Sequence, residues 1–200
     1  MNRSLVILFL FIFLTGCYIS RNVETPVTLR IDTDFDVSFE KPSDPKYLKN
    51  LEADHYKQLF IEGMKNELVS YNVTVVQNEA EKYDLLLRIK EFRLRESVNT
   101  ATVDDAASPY HGQSYALHSC GASVDFVLYR NGSESDKGWA SVDKEEKLTN
   151  NRNVGDYILG ANKDGSEYRH KQLSDDIFED LAQRAGRRTA ARITKKLTKK

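Results

Sequence analysis

The sequence predicts an α+β fold, a two-layer sandwich of one mixed sheet of about five strands with two helices on one face, in the order β-α-β-β-β-β-α. Three observations carry this. Apolar and polar residues alternate from Leu29 to Glu40, as a half-buried strand requires. Two segments, about Lys46 to Tyr71 and Ser174 to Leu197, carry apolar stripes at helical spacing. Between them lie runs of strand character separated by turn residues.

In the first strand Leu29, Ile31, Thr33, Phe35, Val37 and Phe39 share one side, and Arg30, Asp32, Asp34, Asp36, Ser38 and Glu40 the other. Pro42 and Pro45 end it. The first helix follows, with Leu48, Leu51, His55, Leu59, Phe60, Met64 and Leu68 on its stripe, where His55 reads as a core histidine. A short β-branched run from Val73 to Val76 and a longer strand from Tyr83 to Leu94 come next. Residues 98–114, with Asp104, Asp105, Ser108, Pro109 and Gly112, read as a mobile loop. A strand with Ala116, His118, Cys120, Ala122, Val124, Phe126 and Leu128 on one face then meets Asn131-Gly132, a hairpin turn, and returns through Trp139 to Val142. Residues 149–172 form a second polar loop. Ser174 reads as the N-cap of the last helix, with Asp175 and Asp176 in its first turn and Phe178, Leu181, Ala182, Ala185, Thr189, Ile193 and Leu197 on its stripe.

The amino terminus carries the most specific motif. One charge, on Arg3, precedes an unbroken apolar run from Leu5 to Leu14. That run suits a signal-peptide core and is too short to span a bilayer as a helix. Leu14-Thr15-Gly16-Cys17 follows and resembles the bacterial lipobox, in which small residues admit the segment to a signal peptidase and the cysteine thiol takes a diacylglyceryl group. The resemblance implies cleavage before Cys17, diacylglycerol on its sulfur and an acyl chain on its new amine. With two or three chains the anchor is effectively permanent. Residues 1–16 are thus expected to be a signal peptide, 17–26 a lipidated tether and 27–200 one periplasmic domain. Tyr18 stands where the resemblance would place Asp in a protein kept at the inner membrane, which implies the periplasmic face of the outer membrane.

Removing residues 1–16 removes only Arg3 from the charge count, so the formal charge moves from -1 to -2 over the remaining 184 residues (200 minus 16). Such balance argues against nucleic acid as a partner. With Cys17 acylated, Cys120 is the single remaining thiol and has no intramolecular disulfide partner.

Taken with Lys82-Tyr83-Asp84-Leu85-Leu86-Leu87-Arg88-Ile89, the hairpin holding Trp139, and the Arg184-Ala185 and Ala190-Ala191 pairs of the closing helix, the lipobox gives an order of elements over residues 27–198 that resembles the small α/β lipoproteins of the Gram-negative envelope. That group includes penicillin-binding-protein activators, the lipopolysaccharide-assembly lipoprotein and transport-auxiliary lipoproteins, and is similar to the amino-terminal domain of the Tol-Pal propeller protein. The resemblance implies a non-enzymatic accessory factor with an envelope protein as partner and no cofactor beyond the lipid on Cys17. Fold alone does not fix activity.

Sharper chemistry finds little support in the residues. Asp32, Asp34 and Asp36 open like a calcium loop but Val37 stands where Gly is needed and Ser43 where a bidentate Glu is needed, so they read as the solvated face of a strand. His111, His118 and Cys120 lack the spacing of a zinc site. Cys120 with His118 or His111 as base would make an enzyme, yet Cys120 falls on the apolar face of its strand, where burial makes a thiol inert. Gly121-Ala122-Ser123-Val124-Asp125 misses the hydrolase elbow in its last residue and its context. A carrier of a small lipid or glycan between helix and sheet is the other alternative. Two leads for partner contact remain: Tyr110, Tyr115, Tyr157 and Tyr168 in or beside the loops, and the eight basic residues with no acid from Arg184 to Lys200, among them Arg187 and Arg188. The basic run suits a solvated helix end, lipid phosphates or an acidic partner.

Overall fold

The computed structural model describes residues 26–48, 52–76, 82–104, 106–107, 109, 111–145, 148–150, 168–170 and 173–198. The elements are β1 (Val27–Asp32), β2 (Val37–Glu40), α1 (Ala53–Val69), β3 (Val73–Val76), β4 (Leu85–Thr102), β5 (Ser114–Arg130), β6 (Ser133–Glu145), β7 (Leu148–Asn150), β8 (Tyr168–His170) and α2 (Ile177–Leu197). Six strands form one mixed sheet in the order β3-β1-β4-β5-β6, with β2 also on β4, and β7 pairs with β8 in a separate ribbon. Strands β1, β2 and β3 run parallel to their neighbours, whereas β4, β5 and β6 form antiparallel hairpins. The expected sandwich is present.

The single first strand of the sequence reading is two strands laid end to end along β4. Leu29 pairs with Leu85 and Val37 with Phe92. Between them the Asp32 side chain accepts the Asp34 backbone N–H at 3.1 Å, a local bond that replaces a ladder bond and ends β1. Asp34 and Asp36 therefore sit in the break and not on a strand, while Asp32 pairs with Arg88 at 3.0 Å. Other boundaries moved as well. Helix α1 begins at Ala53, because residues 43–48 make bends that the stripe could not reveal. The loop expected at 98–114 is shorter: β4 runs 18 residues to Thr102 and pairs with β5 from Ser114, so strand takes both ends of the expected loop. Helix α2 begins after Asp176, which makes no side-chain cap, so its first-turn acids are Glu179 and Asp180.

The hairpin turn at Asn131-Gly132 is as expected, with φ of 51° and 78°, the left-handed pair that matches strand twist. Asn72, at φ 61°, turns α1 into β3.

One core joins the helices to the inner face of the sheet, built from Leu29, Leu87, Phe92, Leu94, Val124 and Phe126 on the strands and Phe60, Met64, Phe178, Leu181 and Ile193 on the helices. The described core residues all lie at Val27 or beyond, so a chain beginning at Tyr18 carries every described element. The helices touch backbone to backbone. A Cβ on Gly63 would stand 2.2 Å from the Gln183 carbonyl oxygen, and one on Gly186 would stand 2.1 Å from that of Phe60. In ordinary helical context Gly→Ala gains about 1 kcal/mol. Here Gly186→Ala is expected to lose about 1–3 kcal/mol through overpacking, measured by urea unfolding against the native chain.

Candidate functional site

The sheet sets two ends apart. β1, β3, β4 and β6 begin, and β5 finishes, at the same end, because Val27 pairs with Val73, Leu29 with Leu85, Leu85 with Arg130 and Arg130 with Ser133. At the other end lie the β4–β5 loop, the start of α2 and the 41–48 segment.

At that second end the strand parity of β4 carries Phe92, Leu94 and then Glu96 to the core face. Glu96 is 2% exposed. Its carboxylate accepts the backbone N–H groups of Lys46 at 2.7 Å, Tyr47 at 3.1 Å and Leu48 at 2.8 Å. Three main-chain donors are thereby satisfied by one anion, and the bends before α1 are fixed to β4. His118 Nδ1 lies 3.7 Å from Glu96 Oε1, and its ring meets Tyr47 edge to face at 6.2 Å. Cys120, the cross-strand neighbour of Glu96, is buried and forms no disulfide among the described residues. The sulfur is fully covered, and the His118 ring lies beside the Glu96 carboxylate. Among the described residues no three His, Cys, Asp or Glu side chains gather as metal ligands.

At the first end, the C-terminal half of α2 lies over β6. Lys196 bonds Asp136 and the Lys137 carbonyl, and the Arg192 guanidinium stacks on Trp139 at 4.8 Å. The Lys196 ammonium, helped by the Lys137 N–H at 2.7 Å, holds the Asp136 carboxyl below its usual range. Arg188, Arg192 and Lys195 form one wall of an open groove of about 430 Å³, with Tyr71 on the other. Tyr71 gives its hydroxyl to Glu67 at 3.3 Å. The adjoining Asn72 carbonyl accepts the N–H of Val27, the first residue of β1. Beside it Asp84 accepts both the N–H (2.8 Å) and the hydroxyl (2.7 Å) of Thr28, and these bonds keep the Asp84 carboxyl below its usual range.

The outer sheet face carries a pit over Gly121 walled by Arg93, Arg95, Ser141 and Asp143. Its arginines are already paired, Arg93 with Glu40 and Glu91 and Arg95 with Asp143.

Of the residues singled out in the sequence, Leu14, Thr15, Gly16, Cys17, Tyr110 and Tyr157 lie outside the described residues, as do the side chains of Tyr115 and Tyr168 on β5 and β8. Arg187 and Arg188 are exposed on α2, and His111 is exposed between β4 and β5. His55 is not a core residue: its side chain is 45% exposed and faces Glu179 on α2 at 3.2 Å. Glu96 went unnoticed because the strand was ended at Leu94. Continuing the alternation two residues would have placed an acid on the apolar face.

Two outcomes follow from these contacts. Glu96→Ala should lower unfolding free energy by about 3 kcal/mol in chemical denaturation, since three main-chain N–H groups, those of Tyr47 and Leu48 buried, lose this acceptor. Carboxyls depressed in the fold stabilise it above their unfolded pKa of about 4 and lose that contribution as pH falls through the lower folded value. Asp84→Asn with Asp136→Asn should therefore melt lower than the native chain at pH 7 and show a shallower fall in Tm from pH 5 to pH 3.

No family model and no curated protein sequence matches the chain. Among solved structures, a Helicobacter pylori protein, described as a proposed homologue of the neuraminyllactose-binding hemagglutinin, is similar at a TM-score of 0.51 and 12% identity over 92% of both chains. That similarity shows a shared fold. A minor lipoprotein from Acinetobacter baumannii follows at a TM-score of 0.38, with 14% identity over 84% of this chain and 95% of that one. The rare lipoprotein B from Shewanella oneidensis stands at 0.33, with 17% identity over 80% and 92%. The solved structures resembling this chain thus include bacterial lipoproteins, at a superposition too loose to fix family or activity.

Proposed function

We propose that the chain is a lipid-anchored lipoprotein of the bacterial envelope that serves, without catalysis, as an accessory or binding factor for an assembly, transport or peptidoglycan machine at the periplasmic face of the outer membrane. The observation that carries this reading is the apolar run from Leu5 to Leu14 followed by Leu14-Thr15-Gly16-Cys17. The folded domain supports it, because β1 begins only ten residues after Cys17 (27 minus 17) and the described core residues all lie beyond that point. A tether of that length holds the domain within a few tens of ångströms of the bilayer.

The absence of catalysis is supported by the burial of Cys120 and by the use of Glu96 as a main-chain acceptor. Against the carrier alternative stands the packing between helices and sheet, where Phe60, Phe92, Phe126 and Phe178 fill the interface. The envelope partner is expected at the end away from the tether, where the β4–β5 hairpin extends past its neighbours: β6 pairs only as far as Ser119 and β2 as far as Arg95.

Intact mass measurement on membrane-extracted protein tests the anchor. The expected product begins at Cys17 and carries diacylglycerol with an added acyl chain, and Cys17→Ser should abolish the modification and the membrane attachment. An unmodified native product in the soluble fraction would overturn the proposal.

A further inference from the structure

We infer that the C-terminal half of α2 is a membrane-facing surface that binds the phosphates of anionic lipid headgroups. Arg188, Arg192 and Lys195 recur at helical spacing and share one wall of the groove beside Tyr71. Arg188 and Lys195 are exposed, and neither has an acidic side chain within ion-pair distance among the described residues. Several other cations meet acids: Arg88 pairs with Asp32, Arg93 with Glu40 and Glu91, Arg95 with Asp143, Lys144 with Asp180 and Lys196 with Asp136. Arg188 and Lys195 thus bring two cations without an acidic partner among the described residues to one groove wall.

Position identifies the occupant. The groove wall at Tyr71 leads directly to Asn72, whose carbonyl binds the N–H of Val27, the residue where the tether enters the fold. The basic stripe and the tether therefore share one end of the molecule. An anchor at Cys17 draws that end to the bilayer, where each cation near an anionic surface strengthens attachment and the effect fades within about 10 Å at 0.1 M salt. An acidic protein would find the same charge but would have to compete with the adjacent membrane. Two contacts orient the stripe: Arg192 stacked on Trp139, and Lys196 held by Asp136 and the Lys137 carbonyl, keep the helix end from swinging. The domain would then stand upright, with the β4–β5 hairpin pointing into the periplasm.

This inference rests on the lipid anchor for its orientation, yet it can fail separately. The test uses the chain from Tyr18 onward, free of signal segment and lipid, in flotation with vesicles of phosphatidylethanolamine and phosphatidylglycerol at 70:30, and with phosphatidylcholine vesicles as the neutral comparison. Binding to the anionic vesicles alone is expected, weakening as salt rises. Arg188→Ala and Lys195→Ala should each reduce the partition about fivefold and together about thirtyfold. Both side chains are exposed, so unchanged melting of the variants is expected and separates lost binding from lost fold. Lys144→Ala, at the opposite end, should bind like the native chain. Equal binding to neutral vesicles, no binding to anionic ones, or indifference to the paired substitution would overturn the inference. Capture by polyglutamate without vesicle binding would do so too, and would give the surface to an acidic protein. An unmodified Cys17 with vesicle binding intact would refute the anchor alone.

Discussion

The structure depends on how closely its two helices approach. Gly63 and Gly186 are buried at their crossing, each within about van der Waals contact of the other helix's main chain, and any side chain there would drive the helices apart. Close approach lets both helices share the inner face of a sheet only five strands wide in its main path. It also fixes where α2 ends. With its middle held against Phe60 of α1, its last turns reach the edge strand β6, where Asp136 and Trp139 receive Lys196 and Arg192. Packing at the crossing thus decides the placement of the basic stripe, which begins at Arg188 just past Gly186.

Strand β4 performs the complementary task in the sheet. It carries β1 and β2 on one side and the whole of β5 on the other, and a register shift between Ile89 and Glu91 on its β5 side accommodates the twist of so long a strand. Its inward residues change character along its length, from Leu85, Leu87 and Phe92 under the helices to Glu96 under the 46–48 bends. Where apolar packing gives way to exposed main-chain donors, a carboxylate replaces a leucine. The result is a domain with an electrostatically pinned loop at one end and a cationic helix terminus at the other, joined by a conventional core.

Much of the architecture was visible in the residues. Alternation found the first strand and β5, a β-branched run and a longer strand run found β3 and β4, helical stripes found both helices, and Asn131-Gly132 marked the turn into β6, because each of these signals is local to a few residues. What local pattern missed was competition between nearby donors and acceptors. The break in the first strand depends on Asp32 taking a backbone N–H, and His55 was placed in the core because its spacing fits the stripe while its position on the first turn of α1 does not. Of the candidate site, the basic run was evident and its meaning was not.

Composition, periodicity and short motifs need no neighbours in space, so the residues alone carried the class of fold, the lipobox-like Leu14-Thr15-Gly16-Cys17 and the excess of cations after Arg184. It took the fold to make Glu96 an internal acceptor, to make Gly63 and Gly186 contact points, and to bring Arg188 and Lys195 to the end of the molecule where Val27 begins β1. These are facts about residues tens of positions apart, such as Tyr71 and Arg188, and their juxtaposition arises from sheet order and helix crossing, which the linear pattern does not encode.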